Sequence, residues 1–338
     1  MTLLPWLQQN WDHLCDYRLQ NRVPQALLIT GQKGLGKHQL AEQFATSLLC
    51  AKPQDSGLGC GHCDSCLLLK AQTHPDFIQI KPEEPGKTIT IGQIRNLITR
   101  LTLKPHNDAY RVVIVNPADL MNNAAANAFL KCLEEPTERT VILLITDKPA
   151  RLPATIVSRC QKLAVARPDK TTVAVWLKQQ AAQDDPALLL GLAQGAPLLA
   201  LHYAKEGTLG LRNDCFKAWM AIAKQRSHPV IIAEDWYKLP EDPLIVWITS
   251  WIIDLIKCRY QIKADGLYNP DLKDSLQELS HQLDLKGLYK LYDLLLMRRR
   301  LLDTQINKHS LFEEILIKWS ELNRSKQTCQ TQRPDKVY

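Results

Sequence analysis

Gly31, Gly34, Gly36 and Lys37 stand in the run Gly31-Gln32-Lys33-Gly34-Leu35-Gly36-Lys37-His38. The apolar stretch Ala26-Leu27-Leu28-Ile29-Thr30 precedes it, and a helical pattern follows in which Leu40, Phe44, Ala45 and Leu48 share one face. A strand, a glycine-rich turn and a helix in this order let backbone N–H groups surround a phosphate at a helix N-terminus, with the lysine adding a point charge. The pattern G-x-x-x-x-G-K followed by Ser or Thr is met at Gly31, Gly36 and Lys37, but its last position is His38. The missing hydroxyl is the group that ligates Mg²⁺, so the loop could hold the phosphates of ATP or ADP while being poorly built to cleave them. The competing reading is a turn whose glycines serve only close packing.

A second chemical constellation follows at once. Cys50, Cys60, Cys63 and Cys66 are spaced C-x₉-C-x₂-C-x₂-C. Each C-x₂-C step bends the chain so that two thiolates face one centre, and four thiolates give the closed tetrahedral site of structural zinc, Zn²⁺, with no open position for catalysis. A redox pair is disfavoured because three of these cysteines overlap and no thioredoxin-like strand precedes them. Cys15, Cys132, Cys160, Cys215, Cys258 and Cys329 are scattered and are read as packing residues or exposed thiols. Ten cysteines in a chain without a secretory leader do not make a disulfide scaffold. His74 and Asp76 could be a catalytic pair, but no nucleophile stands beside them, and a turn that positions the next strand is the better reading.

The elements that must position these groups alternate in kind. Phe77-Ile78-Gln79-Ile80 reads as a strand, Ile91, Ile94, Leu97, Ile98 and Leu101 trace a helix, and Arg111-Val112-Val113-Ile114-Val115 reads as a strand buried on both faces. At the end of that strand a P-loop ATPase carries the acid that holds Mg²⁺ and commonly a second that orients water. Here the positions are Asn116 and Pro117, and Asp119 comes three residues late, as a turn or cap residue. A helix over 122–135 with Ala125, Ala128, Phe129 and Leu133 as its apolar side, closed by Pro136, and a buried strand over 141–145 complete a three-layer α/β domain.

Beyond Pro168 the strand signals stop. Helical patterns over 171–182, 186–193 and 196–205 are separated by Asp184-Asp185 and Gly195. The remainder is helical and carries Trp219, Trp236, Trp247, Trp251 and Trp319, with its clearest amphipathic helices over 283–302 and 311–322 and a polar, frayed tail over 323–338. The chain has 338 residues, 45% hydrophobic and 23% charged, with a net charge of +7. That suits two or three globular domains and falls short of a dedicated nucleic-acid binder; Arg298-Arg299-Arg300 reads as a solvated helix face. No leader or bilayer-length apolar run is present, so a cytoplasmic protein without membrane contact is expected.

Taken together, the cysteines after the P-loop helix, Thr73-His74-Pro75-Asp76, Asn127-Ala128-Phe129-Leu130-Lys131-Cys132-Leu133-Glu134-Glu135-Pro136 and Ser158-Arg159-Cys160 resemble the AAA+ clamp-loader family of bacterial DNA polymerase III, and its degenerate nucleotide motifs resemble the delta-prime type. The resemblance implies an AAA+ P-loop domain over 1–166 with the zinc module at 50–66, a three-helix lid over 167–207 and an all-α collar over 208–338. It implies a non-hydrolysing subunit that joins gamma/tau and delta subunits through the collar and helps place the sliding clamp on primed DNA. It also implies that Arg159, flanked by Ser158 and Cys160, acts in trans at a neighbour's ATP, as an arginine finger does. Gln194-Gly195-Ala196-Pro197 lacks the arginine that active members place in the lid. The alternatives are an active gamma/tau-type ATPase, against which Asn116-Pro117 speaks, and a DNA binder acting through the zinc module, whose enclosed residues Gly61, His62, Asp64 and Ser65 offer no basic or aromatic reading surface.

Overall fold

The computed structural model describes residues 3–84, 86–102, 110–135, 137–180, 185–239, 241–262, 266–301 and 308–324. Pro136, Asp184, Leu302, Cys329 and the tail beyond residue 324 lie outside the described residues, as does the side chain of Arg300. The chain divides into two compact units, Met1–Trp176 with Ala196–Leu199, and Leu177–Gly195 with Ala200–Tyr338.

The first unit is built on five parallel strands, β1 (Ala26–Thr30), β2 (Phe77–Ile80), β3 (Arg111–Val115), β4 (Thr140–Thr146) and β5 (Gln161–Ala164), in the order β2-β3-β4-β1-β5. Alternation with period two sends Leu27, Ile29, Val112, Ile114, Val141, Leu143 and Ile145 to one face. There they meet α1 (Gln8–Leu19), through Trp11 and Leu14, and α2 (Lys37–Leu49), through Leu40, Phe44 and Leu48. Leu28, Ile78, Val113, Val115, Ile142 and Leu144 point the other way. They pack on α4 (Ile91–Leu101), α5 (Asn123–Glu134) and α6 (Ala154–Val157). This is the three-layer α/β arrangement expected from the sequence, with α3 (Asp64–Lys70) between β1 and β2 and most of α7 (Lys170–Gln179) after the sheet.

Two details differ from the sequence pattern. On α5 the buried residues are Ala125, Ala126, Phe129 and Cys132, so the helix is rotated toward Ala126 and Cys132, while Ala128 and Leu133 are half-buried. Strand β5 has only Leu163 buried and therefore shows no apolar run; its pairing with β1 places it at the sheet edge.

The second unit is helical: α8 (Pro186–Leu192), most of α9 (Pro197–Lys205), α10 (Thr208–Ala223), α11 (Pro229–Trp236), α12 (Glu241–Arg259), α13 (Lys273–Ser280), α14 (Leu285–Leu301) and α15 (Lys308–Arg324). Its core is aromatic. The Trp219 and Trp319 rings stack 3.8 Å apart, the Trp319 indole donates to the Trp219 carbonyl at 3.0 Å, and Trp251 and Phe216 pack beside them.

One buried polar network ties α10 and α12 to the segment before α13. Arg212, fully buried, donates to Asn269 Oδ1 at 2.8 Å and to both carboxylate oxygens of Asp271 at 2.7 and 3.1 Å. Asp254, also fully buried, accepts from the backbone of Tyr268 and Asn269. Burial pushes the Asp254 carboxyl up, and those N–H donors hold it back. No single helix among the described residues is long and apolar enough to cross a membrane.

Candidate functional site

The phosphate loop sits where the sheet topology requires it, between the C-terminal end of β1 and the N-terminus of α2. Gly36 caps α2 at φ +88°, and Gly34 holds φ +82°, conformations that favour glycine. Gly34 also has little room for a side chain, since a Cβ there would meet Ala196 at 3.2 Å and the Leu199 backbone at 3.3 Å. The Gly34 carbonyl accepts from Leu198 N–H at 3.0 Å, and the Trp6 indole donates to the Leu35 carbonyl at 2.9 Å. Gly31 opens the turn after Thr30.

Lys37, 4% exposed, bends back into this loop. Its ammonium donates to the Gln32 carbonyl at 2.8 Å and to Asp147 Oδ1 at 2.5 Å. His38 points along α2 to Glu42 at 3.2 Å, and Glu42 also accepts from Gln79 at 3.1 Å. The His38 hydrogen bond, working against burial, holds the Glu42 carboxyl below its ordinary range. Asp119, the late acid after β3, accepts a hydrogen bond from Thr146 at 2.5 Å, which makes it a tie between the ends of β3 and β4.

The four sequence-predicted metal ligands converge. Cys50 caps the end of α2, Cys60 lies in the following loop, and Cys63 and Cys66 begin α3. Their Sγ atoms all lie within 4.8 Å of one another, with Cys50 and Cys63 3.8 Å apart and Cys60 and Cys66 4.0 Å apart. Thiolates about 2.3 Å from a central ion form a tetrahedron with edges of about 3.8 Å, so the set fits a tetrahedral ion. Backbone N–H groups of Cys60 and Cys63 reach the sulfurs of Cys50 and Cys60 at 3.2 and 3.3 Å.

The backbone N–H of His62, with that of Cys63, pulls the Cys60 thiol down to about 6. Burial pushes Cys66 up to about 12 and raises Cys50; at Cys63 burial is the largest single influence, but the N–H groups of Cys66 and Ala51, with the Cys66 thiol, together outweigh it and the thiol falls. The module is pinned to the body by Ser47 Oγ donating to Gly57 O at 2.6 Å and the Trp11 indole to Ser56 O at 2.9 Å. His74 and Asp76 complete this framework. His74 meets Ser65 Oγ at 3.3 Å and accepts from Asp76 N–H, while Asp76 pairs with Arg111 at 3.2 Å, all three nearly buried. They join the cysteine module to β2 and β3, the turn role expected of them.

Arg159 lies on the same unit, just after α6. Its guanidinium donates to Thr155 O at 3.0 Å and pairs with Glu134 at 2.8 Å, with 39% of its side chain exposed. Ser158 Oγ donates to the Thr155 carbonyl at 3.1 Å, and Cys160 is buried, its thiol pushed by burial up to about 11. No local spacing marks Asp147 and Glu134 as partners of Lys37 and Arg159, which lie 110 and 25 residues away in the chain.

Family models described as DNA polymerase III, delta subunit, and its C-terminal part match residues 7–169 and 206–321. The DNA polymerase III subunit delta′ of Pseudomonas aeruginosa is 35% identical over 328 residues, covering 95% of this chain and 98% of that protein. The tau/gamma subunit of Haemophilus influenzae is 32% identical over 183 residues, 52% of this chain and 26% of that protein. A solved DNA polymerase III gamma subunit-related protein of Thermotoga maritima shares the fold, with a TM-score of 0.51 and 18% identity over 93% of this chain and 99% of its own. Similarity to delta′ runs from end to end and similarity to tau/gamma stops halfway, and on that ground the chain belongs to the delta′ family of DNA polymerase III clamp-loader subunits.

Proposed function

We propose that this chain serves the clamp loader without hydrolysing ATP itself, standing beside an active subunit and lending Arg159 to that neighbour's ATP. The observation that carries the reading is a phosphate-loop fold kept intact while its metal-holding groups are replaced: His38 is turned to Glu42, and β3 ends in Asn116 and Pro117. Arg159 suits the trans role because its backbone is fixed by the buried Cys160 and its guanidinium is presented, half-exposed, by Thr155 and Glu134. A planar cation held in that way can neutralise charge on a transferring phosphate that approaches from another subunit.

In this proposal Cys50, Cys60, Cys63 and Cys66 hold one Zn²⁺, which supplies a cross-link in place of a larger core and takes no part in chemistry. The phosphate-loop domain spans 1–166, the lid 167–207 and the collar 208–338, with the collar joining gamma/tau and delta subunits. The sliding clamp and primed DNA are met within that complex.

The test is ATP turnover by the purified chain with Mg²⁺, then by the mixture with gamma/tau and delta subunits, clamp and primed DNA. Absence of turnover alone and Arg159-dependent turnover in the mixture support the reading. Turnover by the isolated chain that Lys37→Ala abolishes would replace it with the active-ATPase alternative.

A further inference from the structure

We infer that Asp147 acts as a built-in substitute for phosphate and closes this chain's own phosphate loop to nucleotides. Strands β1 and β4 are parallel neighbours in the register Thr30↔Thr146, so the residues that follow, Gly31 of the loop and Asp147, leave the same edge side by side. Lys37, one turn further on at the start of α2, reaches Asp147 Oδ1 at 2.5 Å and the Gln32 carbonyl of its own loop at 2.8 Å. Its side chain is 4% exposed and that of Asp147 34%. The cation that a phosphate loop keeps for its ligand is therefore already paired with a carboxylate, which meets the buried ammonium from the solvent side.

A nucleotide meets two penalties here. It must take Lys37 away from a partner supplied by the same chain, and it must then lie beside the Asp147 carboxylate, now unpaired, with its own phosphates negative. Phosphate loops relieve such repulsion through Mg²⁺, but the positions that would hold the ion are His38, engaged with Glu42, and Asn116. The packing of the loop preserves the arrangement, since Gly34 is bonded to Leu198 and Leu35 to Trp6. Closure thus rests on one ion pair in an otherwise formed loop, and removing the carboxylate while keeping the lysine leaves a loop able to take phosphate. The inference concerns this chain's own loop and stands apart from the role of Arg159 at a neighbour's ATP.

The experiment is equilibrium binding of a fluorescent ATP analogue, and of ADP in competition, to the full chain with Mg²⁺. The wild-type chain and Asp147→Glu, which keeps the anion, give weak or no saturable binding. Asp147→Asn binds at least ~10-fold more tightly, and Asp147→Asn with Lys37→Met loses that gain. Wild-type binding as tight as that of Asp147→Asn, or an Asp147→Asn chain that melts normally and binds no better, overturns the inference. Should the Asp147 variants fail to fold, acetylation footprinting of the wild-type lysines decides. Lys37 that is protected, and equally so with or without ATP, supports closure; Lys37 that reacts as fast as the exposed lysines, or becomes protected only with ATP, refutes it. Loss of Arg159-dependent loader turnover reads the proposed function and not this one.

Discussion

Thr155 and Glu134 hold two edges of the Arg159 guanidinium while more than a third of the side chain stays in solvent, a geometry that restricts rotamers without using up the charge. Arg159→Ala is expected to leave folding intact and to cut DNA-stimulated ATP turnover of the assembled loader at least ~10-fold, against the roughly 10³-fold an arginine finger contributes at one site. Arg159→Lys, which keeps charge but not the planar fork, should fall close to the alanine variant, and Glu134→Gln between wild type and both. Steady-state turnover of the reconstituted complex checks all three, and equal rates for wild type and Arg159→Ala would remove the finger. A second residue-scale prediction concerns pH. The Glu42 carboxyl is held below its ordinary range chiefly by the His38 hydrogen bond. Its folded state therefore favours the anion, stability from it is present above the unfolded carboxylate pKa near ~4.3, and it is lost as pH falls through the folded value. Glu42→Gln should therefore lower the urea midpoint at neutral pH and converge with wild type in acid. The sequence showed the types of these residues but not their partners. Local spacing betrays a C-x₂-C step because the ligands are neighbours in the chain, whereas Lys37–Asp147 and Arg159–Glu134 exist only once β1, β4, α5 and α6 are assembled.

Elements were legible where burial imposes a period. The apolar runs within β3 and β4, buried on both faces, and the stripe Leu40, Phe44 and Leu48 of α2 follow directly from their sequences. β5 was hidden because an edge strand with Leu163 as its one buried residue needs no apolar pattern, and α1 because Trp11 and Leu14 are its only buried positions. The cysteine module is the element whose stability depends least on a period. Its loop is fixed by Ser47 and Trp11 at its edges and by four sulfurs at its centre, with α3 too short to hold itself. Chelation of the metal, or Cys60→Ser, should lower the melting temperature of the first unit by several degrees and reduce zinc from one equivalent toward none, measured by elemental analysis beside a thermal melt. Full zinc content in Cys60→Ser would mean that the four sulfurs do not share an ion.

At the scale of the whole molecule, the aromatic cluster and the cysteine cluster lie in different compact units, each with its own buried core. Trp319 is fully buried, stacked on Trp219 and hydrogen-bonded to that residue's carbonyl, so it joins α15 to α10 by both packing and a polar contact. Trp319→Ala removes the ring and leaves the Trp219 carbonyl without that donor, a loss of about 3–5 kcal/mol for a buried aromatic. Stability on that scale is a large share of what holds a domain of this size, so the second unit should unfold at markedly lower denaturant. The first unit has no part in that contact, and its zinc content and its response to chelation should be those of the wild type. Cys60→Ser should give the reverse pattern, with amide hydrogen exchange of α10 and α15 in the second unit unchanged. If Trp319→Ala also releases zinc, or Cys60→Ser also speeds exchange in α10 and α15, the two units unfold as one cooperative block and their division is one of geometry alone.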